Sequence, residues 1–151
     1  MSITAQLAFE NAFPPQPFLV DGEATLIDSG GSPTSIIQAD DDWSIQFKWT
    51  QRGALTQFMS NSNEWHLQVL LEEMGQGELD LNDAGTATVA FVNQDPHEYE
   101  ASISIPGGSV GPGVYRIVVC LTFTAQGGRP AAEIAAFAEF GLVKFYQAAR
   151  V

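Results

Sequence analysis

Period two dominates this chain. In WSIQFKWT, residues 43–50, Trp43, Ile45, Phe47 and Trp49 fall on one side, and Ser44, Gln46, Lys48 and Thr50 on the other. That alternation is the mark of a half-buried strand, and Arg52-Gly53 closes it. EWHLQVLLEEMG repeats the pattern, with Trp65, Leu67, Val69 and Leu71 inward and His66, Gln68 and Glu72 outward. TATVAFV (86–92) is a shorter strand. HEYEASISIPGG follows, with Tyr99, Ala101, Ile103 and Ile105 opposed to Glu100, Ser102 and Ser104. VYRIVVCLTFTA (114–125) is the longest strand, entered through the Gly- and Pro-rich break GGSVGPG and left through QGGRP. AAFAEFGLVKFYQ ends the series. EATLID and SIIQA add two short strands with a turn at SGGSP between them.

About seven or eight short strands separated by turn chemistry predict an all-β chain, an antiparallel sandwich rather than βαβ units. One segment reads two ways. RPAAEIAAFAEF has Pro130 where a helix could start and Gly141 where it could stop. Yet the strand at 114–124 needs a hydrogen-bonding neighbour, and FGLVKFYQ is rich in β-formers. The second half therefore reads as strand, and 131–136 stays open between helix and strand.

Composition narrows the classes of function. The chain has 151 residues, 45% of them hydrophobic and only 16% charged, so a single domain with a substantial core is expected. Its formal net charge is -12, with only six Lys and Arg. A phosphate-binding surface needs a basic footprint, so neither nucleic acid nor an anionic membrane surface is an expected partner. The single Cys120 has no intrachain disulfide partner, which suits a reducing compartment. No basic n-region, long apolar run or transmembrane stretch is seen, so a cytoplasmic location is the expectation.

SVGPGVYRIVVCLTF resembles the penultimate strand of immunoglobulin-like and fibronectin-type-III-like domains. There a Gly and a Tyr, here Gly113 and Tyr115, enter the strand, and the Tyr hydroxyl bonds back to backbone across the corner. The resemblance implies an immunoglobulin-like sandwich with WSIQFKWT as a central strand of its first sheet. The antibody-type Cys two residues after the Tyr is here Ile117. The resemblance carries over no functional residues, because sandwiches host many unrelated functions.

The polar residues gather into few candidate sites. Trp43 and Trp49 share their face with Ile45 and Phe47, so they read as core rather than as a ligand platform, and Trp65 likewise. Asp40, Asp41 and Asp42 are three adjacent carboxylates and the calcium candidates, with Asp95 and Glu98 as possible contributors from another loop. A solvated acidic turn is the plainer reading of them. His66, His97 and Cys120 are too few for a zinc site. No nucleophile elbow marks a hydrolase, and GGSVGPG lacks the Lys and the following helix of a phosphate loop. No cofactor, metal or catalytic residue is therefore expected.

The other side of the longest strand, Val114, Arg116, Val118, Cys120 and Thr122, is too apolar for a fully wetted surface. Either the N-terminal segment or another subunit is expected to cover it. The segment 1–20 accordingly reads as an arm or first strand packing on the domain 21–151 or on a neighbour. Leu7, Phe9, Phe13, Phe18, Val114, Val118 and Cys120 are the interface candidates. The functional expectation is a non-catalytic interaction or structural module that docks to a protein partner or to itself as a homo-oligomer. The rivals are a carbohydrate- or calcium-binding module and a hydrolase on a sandwich scaffold.

Overall fold

The computed structural model describes residues 4–11, 19–28, 35–54, 56, 62–75, 77–79, 81–124 and 130–147. These residues form eleven strands: β1 (Thr4–Gln6), β2 (Ala8–Asn11), β3 (Leu19–Ile27), β4 (Ile36–Gln38), β5 (Trp43–Arg52), β6 (Glu64–Glu73), β7 (Gly77–Leu79), β8 (Thr86–Ala90), β9 (His97–Ile105), β10 (Gly113–Thr124) and β11 (Pro130–Tyr146). A short 3-10 turn, Asn82–Gly85, precedes β8. The strand count exceeds the expected seven or eight because β1, β2 and β7 are too short, at three or four residues each, to show a periodicity. The stretch 130–146 is strand throughout, which resolves 131–136 against helix. The turn expected at SGGSP and most of QGGRP lie outside the described residues.

Two sheets form. One has four strands in the order β1-β3-β5-β9. The other has seven, with β2-β11-β10-β6-β7 as its path, β4 added to β11 and β8 added to β6. Every pairing is antiparallel except β4 with β11. The long hairpin β10-β11 is the one the sequence requires, since β10 is apolar on both sides.

The inward sides of both sheets meet in one core. All eleven of Trp43, Ile45, Phe47, Trp49, Trp65, Leu67, Val69, Tyr115, Ile117, Val119 and Leu121 are buried. Burying each such side chain contributes roughly 1.5–3 kcal/mol. The tryptophans pack as rings among rings: Trp43 lies edge-on to Phe145, and Trp65 edge-on to Phe123, Tyr99 and Trp49. Their exposures of 3%, 1% and 0% leave no aromatic platform for a ligand at Trp43, Trp49 or Trp65.

The N-terminal segment crosses from one sheet to the other. Thr4–Gln6 pairs with β3, and Ala8–Asn11 pairs with β11. Leu7 stands at the crossing, buried, with its N–H donated to the Gly22 carbonyl at 2.9 Å. Phe9 packs against the same core. Leu7 and Phe9 thus face the chain's own interior, which corrects their reading as contacts for a partner. Phe13 and Phe18 lie outside the described residues.

Candidate functional site

The described side chains with unusual surroundings fall into three places: the two ends of the sandwich and the outer side of the seven-stranded sheet. At one end the turn Asp40–Asp42 packs on the turn that follows β9. The Asp42 carboxylate accepts the Gly107 N–H at 2.7 Å, and the Gly108 N–H is donated to the Ala39 carbonyl at 2.8 Å. A Cβ on Gly107 would stand 2.1 Å from the Asp40 carbonyl oxygen, so only glycine admits this contact. A cleft of about 310 Å³ opens beside it, lined by Asp28, Asp42, Trp43, Ser44, Ser104, Ile105 and Pro106. Asp95 and Glu98 do not join the three aspartates. The β5–β9 register pairs Trp43 with Ile105 and Gln51 with His97, which puts Asp95 and Glu98 at the far end of β5. Among the described residues no group of three or more His, Cys, Asp and Glu converges as a metal site.

That far end is held by a buried polar network that the sequence reading missed. The Tyr99 hydroxyl donates to Gln51 Oε1 at 2.7 Å and accepts the Val92 N–H at 2.9 Å. Gln51 Nε2 donates to the Gln94 and Val92 carbonyls. Gln51 is fully buried. The signal was present: extending the odd-numbered inward positions of β5 by one step puts residue 51 inside. Burial raises the pKa of Tyr99 above the usual phenol value, and its hydrogen bonds to Val92 and Gln51 and the nearness of the Trp65 indole pull the other way. The Trp49 and Trp65 indole nitrogens make no well-formed hydrogen bond. His97 stacks edge-on to Tyr99 at 4.5 Å, and its Nδ1 lies 3.3 Å from Gln94 Oε1. His66, by contrast, is exposed on β6 in the other sheet. The two histidines are not brought together: His66 pairs with Thr122, diagonal to Cys120 on the same outer face, and His97 lies in the other sheet.

The third place is the largest. The outward positions of the seven-stranded sheet form rows across the strands. Phe137, Cys120, Gln68 and Thr86 make one row; Glu139, Val118 and Leu70 the next; Leu142, Arg116, Glu72 and Glu78 a third; Ile36, Lys144 and Val114 a fourth. Tyr146 extends the surface past Lys144. Ile36, Val114, Phe137, Leu142 and Tyr146 are exposed by 58%, 38%, 46%, 54% and 39%. Large apolar side chains rarely gather this way on a soluble surface without a role. Arg116 Nε lies 3.1 Å from Glu139 Oε1 in the middle of the face. A shallow depression of about 370 Å³ beside it is lined by Leu70, Leu71, Glu72, Glu78, Arg116 and Val118. Cys120 sits within the face at 9% exposure, and burial raises its thiol pKa.

Of the expected interface residues, Val114, Val118 and Cys120 belong to this face. Ile36, Phe137, Leu142 and Tyr146 were missed. Along β11 the inward residues are Ala136 and Ala138, then Val143 and Phe145. The inward parity changes from even to odd between them. Phe140 and Gly141 together stand opposite Ile117, one residue in excess, with Gly141 at φ 76. A bulge with glycine in the left-handed region breaks the alternation, so a single period-two reading of 135–147 places part of the strand on the wrong side.

At the corner before β10, the Tyr115 hydroxyl donates to the Gly111 carbonyl at 2.9 Å. No protein-family model matches the chain, and no curated protein matches it. Among solved structures, the chain is similar to one described as the crystal structure of the C-terminal domain of wzt. The TM-score is 0.48 at 7% identity, covering 96% of this chain and 80% of that one. A likeness at this level assigns no function.

Proposed function

We propose that the protein is a non-catalytic, immunoglobulin-like interaction module that docks to protein through the outer face of its seven-stranded sheet. The observation that carries the reading is the cluster of Ile36, Val114, Phe137, Leu142 and Tyr146 on that face. The cluster is laid across three adjacent strands rather than scattered. Residues 4–11 do not cover it, because they pair at the sheet edges.

Two further observations support the architecture. The strands β3-β5-β9 and β11-β10-β6 follow the order in which immunoglobulin-like sandwiches place A-B-E and G-F-C. Tyr115, entering β10, makes the corner bond that such domains make at their penultimate strand. A non-catalytic role is supported by the placing of His97 in the other sheet from His66 and Cys120 and by the raised pKa of Cys120, which disfavours a reactive thiolate.

The test is a photo-crosslinking amino acid at position 142, compared with one at position 46 on the opposite outer face, in cells that make the protein. Protein adducts are expected from position 142 and not from position 46. Absence of adducts from 142, or equal yields from both positions, would overturn the docking reading.

A further inference from the structure

Resting on that docking reading, we propose that the partner on the apolar face is a second copy of the chain, giving a face-to-face dimer of sandwiches. Size is the first argument. From Val114 to Thr122, β10 runs about 26 Å, and five adjacent strands span about 19 Å between the outermost, so the whole outer face projects on the order of 500 Å², with the apolar cluster on β4, β11 and β10 and a polar margin of Gln68, Glu72, Glu78 and Thr86 on β6, β7 and β8. Side chains standing off a pleated sheet present more accessible area than that projection. A stable protein interface takes about 800 Å² per partner. The face therefore approaches what one complete isologous interface needs, and it is wider than a single docked strand or helix would fill.

Shape is the second argument. Strands twist with one hand, and the sheet that seats on a twisted sheet is another of the same twist, about 10 Å away and rotated by about 30°. A second copy supplies such a sheet, and of the seven large apolar side chains exposed among the described residues five lie on this outer face, with Leu19 on β3 of the four-stranded sheet. The other outer face presents Ser44, Gln46, Lys48 and Thr50 from β5, with Ser102, Ser104, Glu98 and Glu100 beside them.

Charge is the third. Each copy carries a formal net charge of -12, so two copies repel unless they meet where the charge is balanced. The outward positions of β10 and β11 carry Arg116 and Lys144 against Glu139, with Arg116 and Glu139 already paired. Glu72 stands opposite Arg116 on β6, where the cation faces it, and Glu78 lies beyond it on β7. The middle of the face therefore presents no like-charge barrier, while the rest of each body repels its mate. Added salt should accordingly tighten the dimer by screening that repulsion.

Sedimentation velocity on the purified full chain, from low to high micromolar concentration, tests the proposal. The expected result is a reversible species of twice 16.3 kDa, populated more fully at higher salt. Leu142→Asp and Phe137→Asp should each weaken it by at least about tenfold, as loss of an apolar contact at the centre of an interface does. Gln46→Asp on the opposite face should leave it unchanged. Circular dichroism melts would confirm that the variants fold, and Ile36→Asp, the most exposed of the five positions, serves if either does not. A wild-type monomer at every concentration would overturn the second copy. If crosslinks from position 142 then led to another protein, the docking reading would survive without it. A dimer indifferent to Leu142→Asp, Phe137→Asp and Ile36→Asp would also overturn the proposal, since it would form through another surface.

Discussion

The outer face of the four-stranded sheet and the outer face of the seven-stranded sheet are both built on long antiparallel strands and have opposite surfaces. On the first, Thr4 meets Thr25 at 3.0 Å and Gln46 reaches Glu100 at 2.6 Å. Thr25, Gln46 and Ser102 lie in one register row, and Glu23, Lys48 and Glu100 in the next. On the second, apolar side chains occupy equivalent positions on β10 and β11, and among the described residues Arg116 and Glu139 form the one ion pair across them. Inward, the two sheets are alike, contributing Phe47 and Trp49 from one side and Trp65 and Phe123 from the other. Stability is therefore set by what the sheets share, and specificity by where they differ. The expected effects of substitution divide along that line.

The largest effect belongs to the shared interior. Phe47 is fully buried, and Phe47→Ala should cost roughly 3–5 kcal/mol. Its neighbour Lys48 points outward on the polar face, and Lys48→Ala should stay within about 0.5 kcal/mol. Urea denaturation of both variants checks the contrast. Similar midpoints would break the inside–outside assignment of β5 and of every strand registered to it.

Next come the two inward tyrosines, one in each sheet. Tyr99→Phe strands the fully buried Gln51 Oε1 and the Val92 N–H, and should cost about 1–3 kcal/mol, the penalty for unsatisfied buried groups. Burial raises the Tyr99 pKa, so its neutral form is the one the fold favours. The resulting stability is present below the unfolded phenol value of about 10 and is lost as pH rises through the higher folded value. The Tyr99→Phe variant should show a shallower loss of stability above that pH. An unchanged alkaline slope would mean that Tyr99 is not coupled to unfolding.

Tyr115→Phe removes one bond, to the Gly111 carbonyl, and should cost about 1 kcal/mol. A larger loss than for Tyr99→Phe would reverse the ranking of the two ends of the sandwich. It would make the corner before β10, not the Gln51 network, the tighter fastening.

Most of the interior was legible from sequence because period two is a local signal and Trp43 to Thr50 repeats it without interruption. The Tyr115 corner was legible because it spans only four residues of chain. The apolar outer face was half legible. Val114, Val118 and Cys120 lie on one regular strand, whereas Phe137 and Leu142 lie on either side of a bulge that changes the parity of β11. Ile36 is two residues from the end of a three-residue strand, whose parallel pairing to β11 no local pattern announces. The apolar residues of the N-terminal segment are evident in sequence and point to an arm or first strand packing on the domain or on a neighbour. That Leu7 turns into the core depends on a crossing between sheets, and such non-local contacts leave no trace in the order of residues.

The smallest effect on folding is the one that best sharpens the contrast between the two faces. Arg116 and Glu139 are 47% and 54% exposed at the side chain, so their ion pair is screened by solvent and worth about 0.2–1 kcal/mol to the monomer. Arg116→Ala should therefore move the urea midpoint scarcely more than Lys48→Ala does on the polar face. In the proposed dimer the two positions part company. Arg116 stands in the middle of the covered face, and removing it leaves Glu139 without its cation against an apolar neighbour, where a buried unpaired charge is costly. Lys48 faces solvent in monomer and dimer alike. Arg116→Ala should thus weaken association measurably while Lys48→Ala does not, with folding midpoints nearly equal. If both variants shifted association equally, the two outer faces would be interchangeable in the assembly. The apolar face would then lose its claim to be the docking surface.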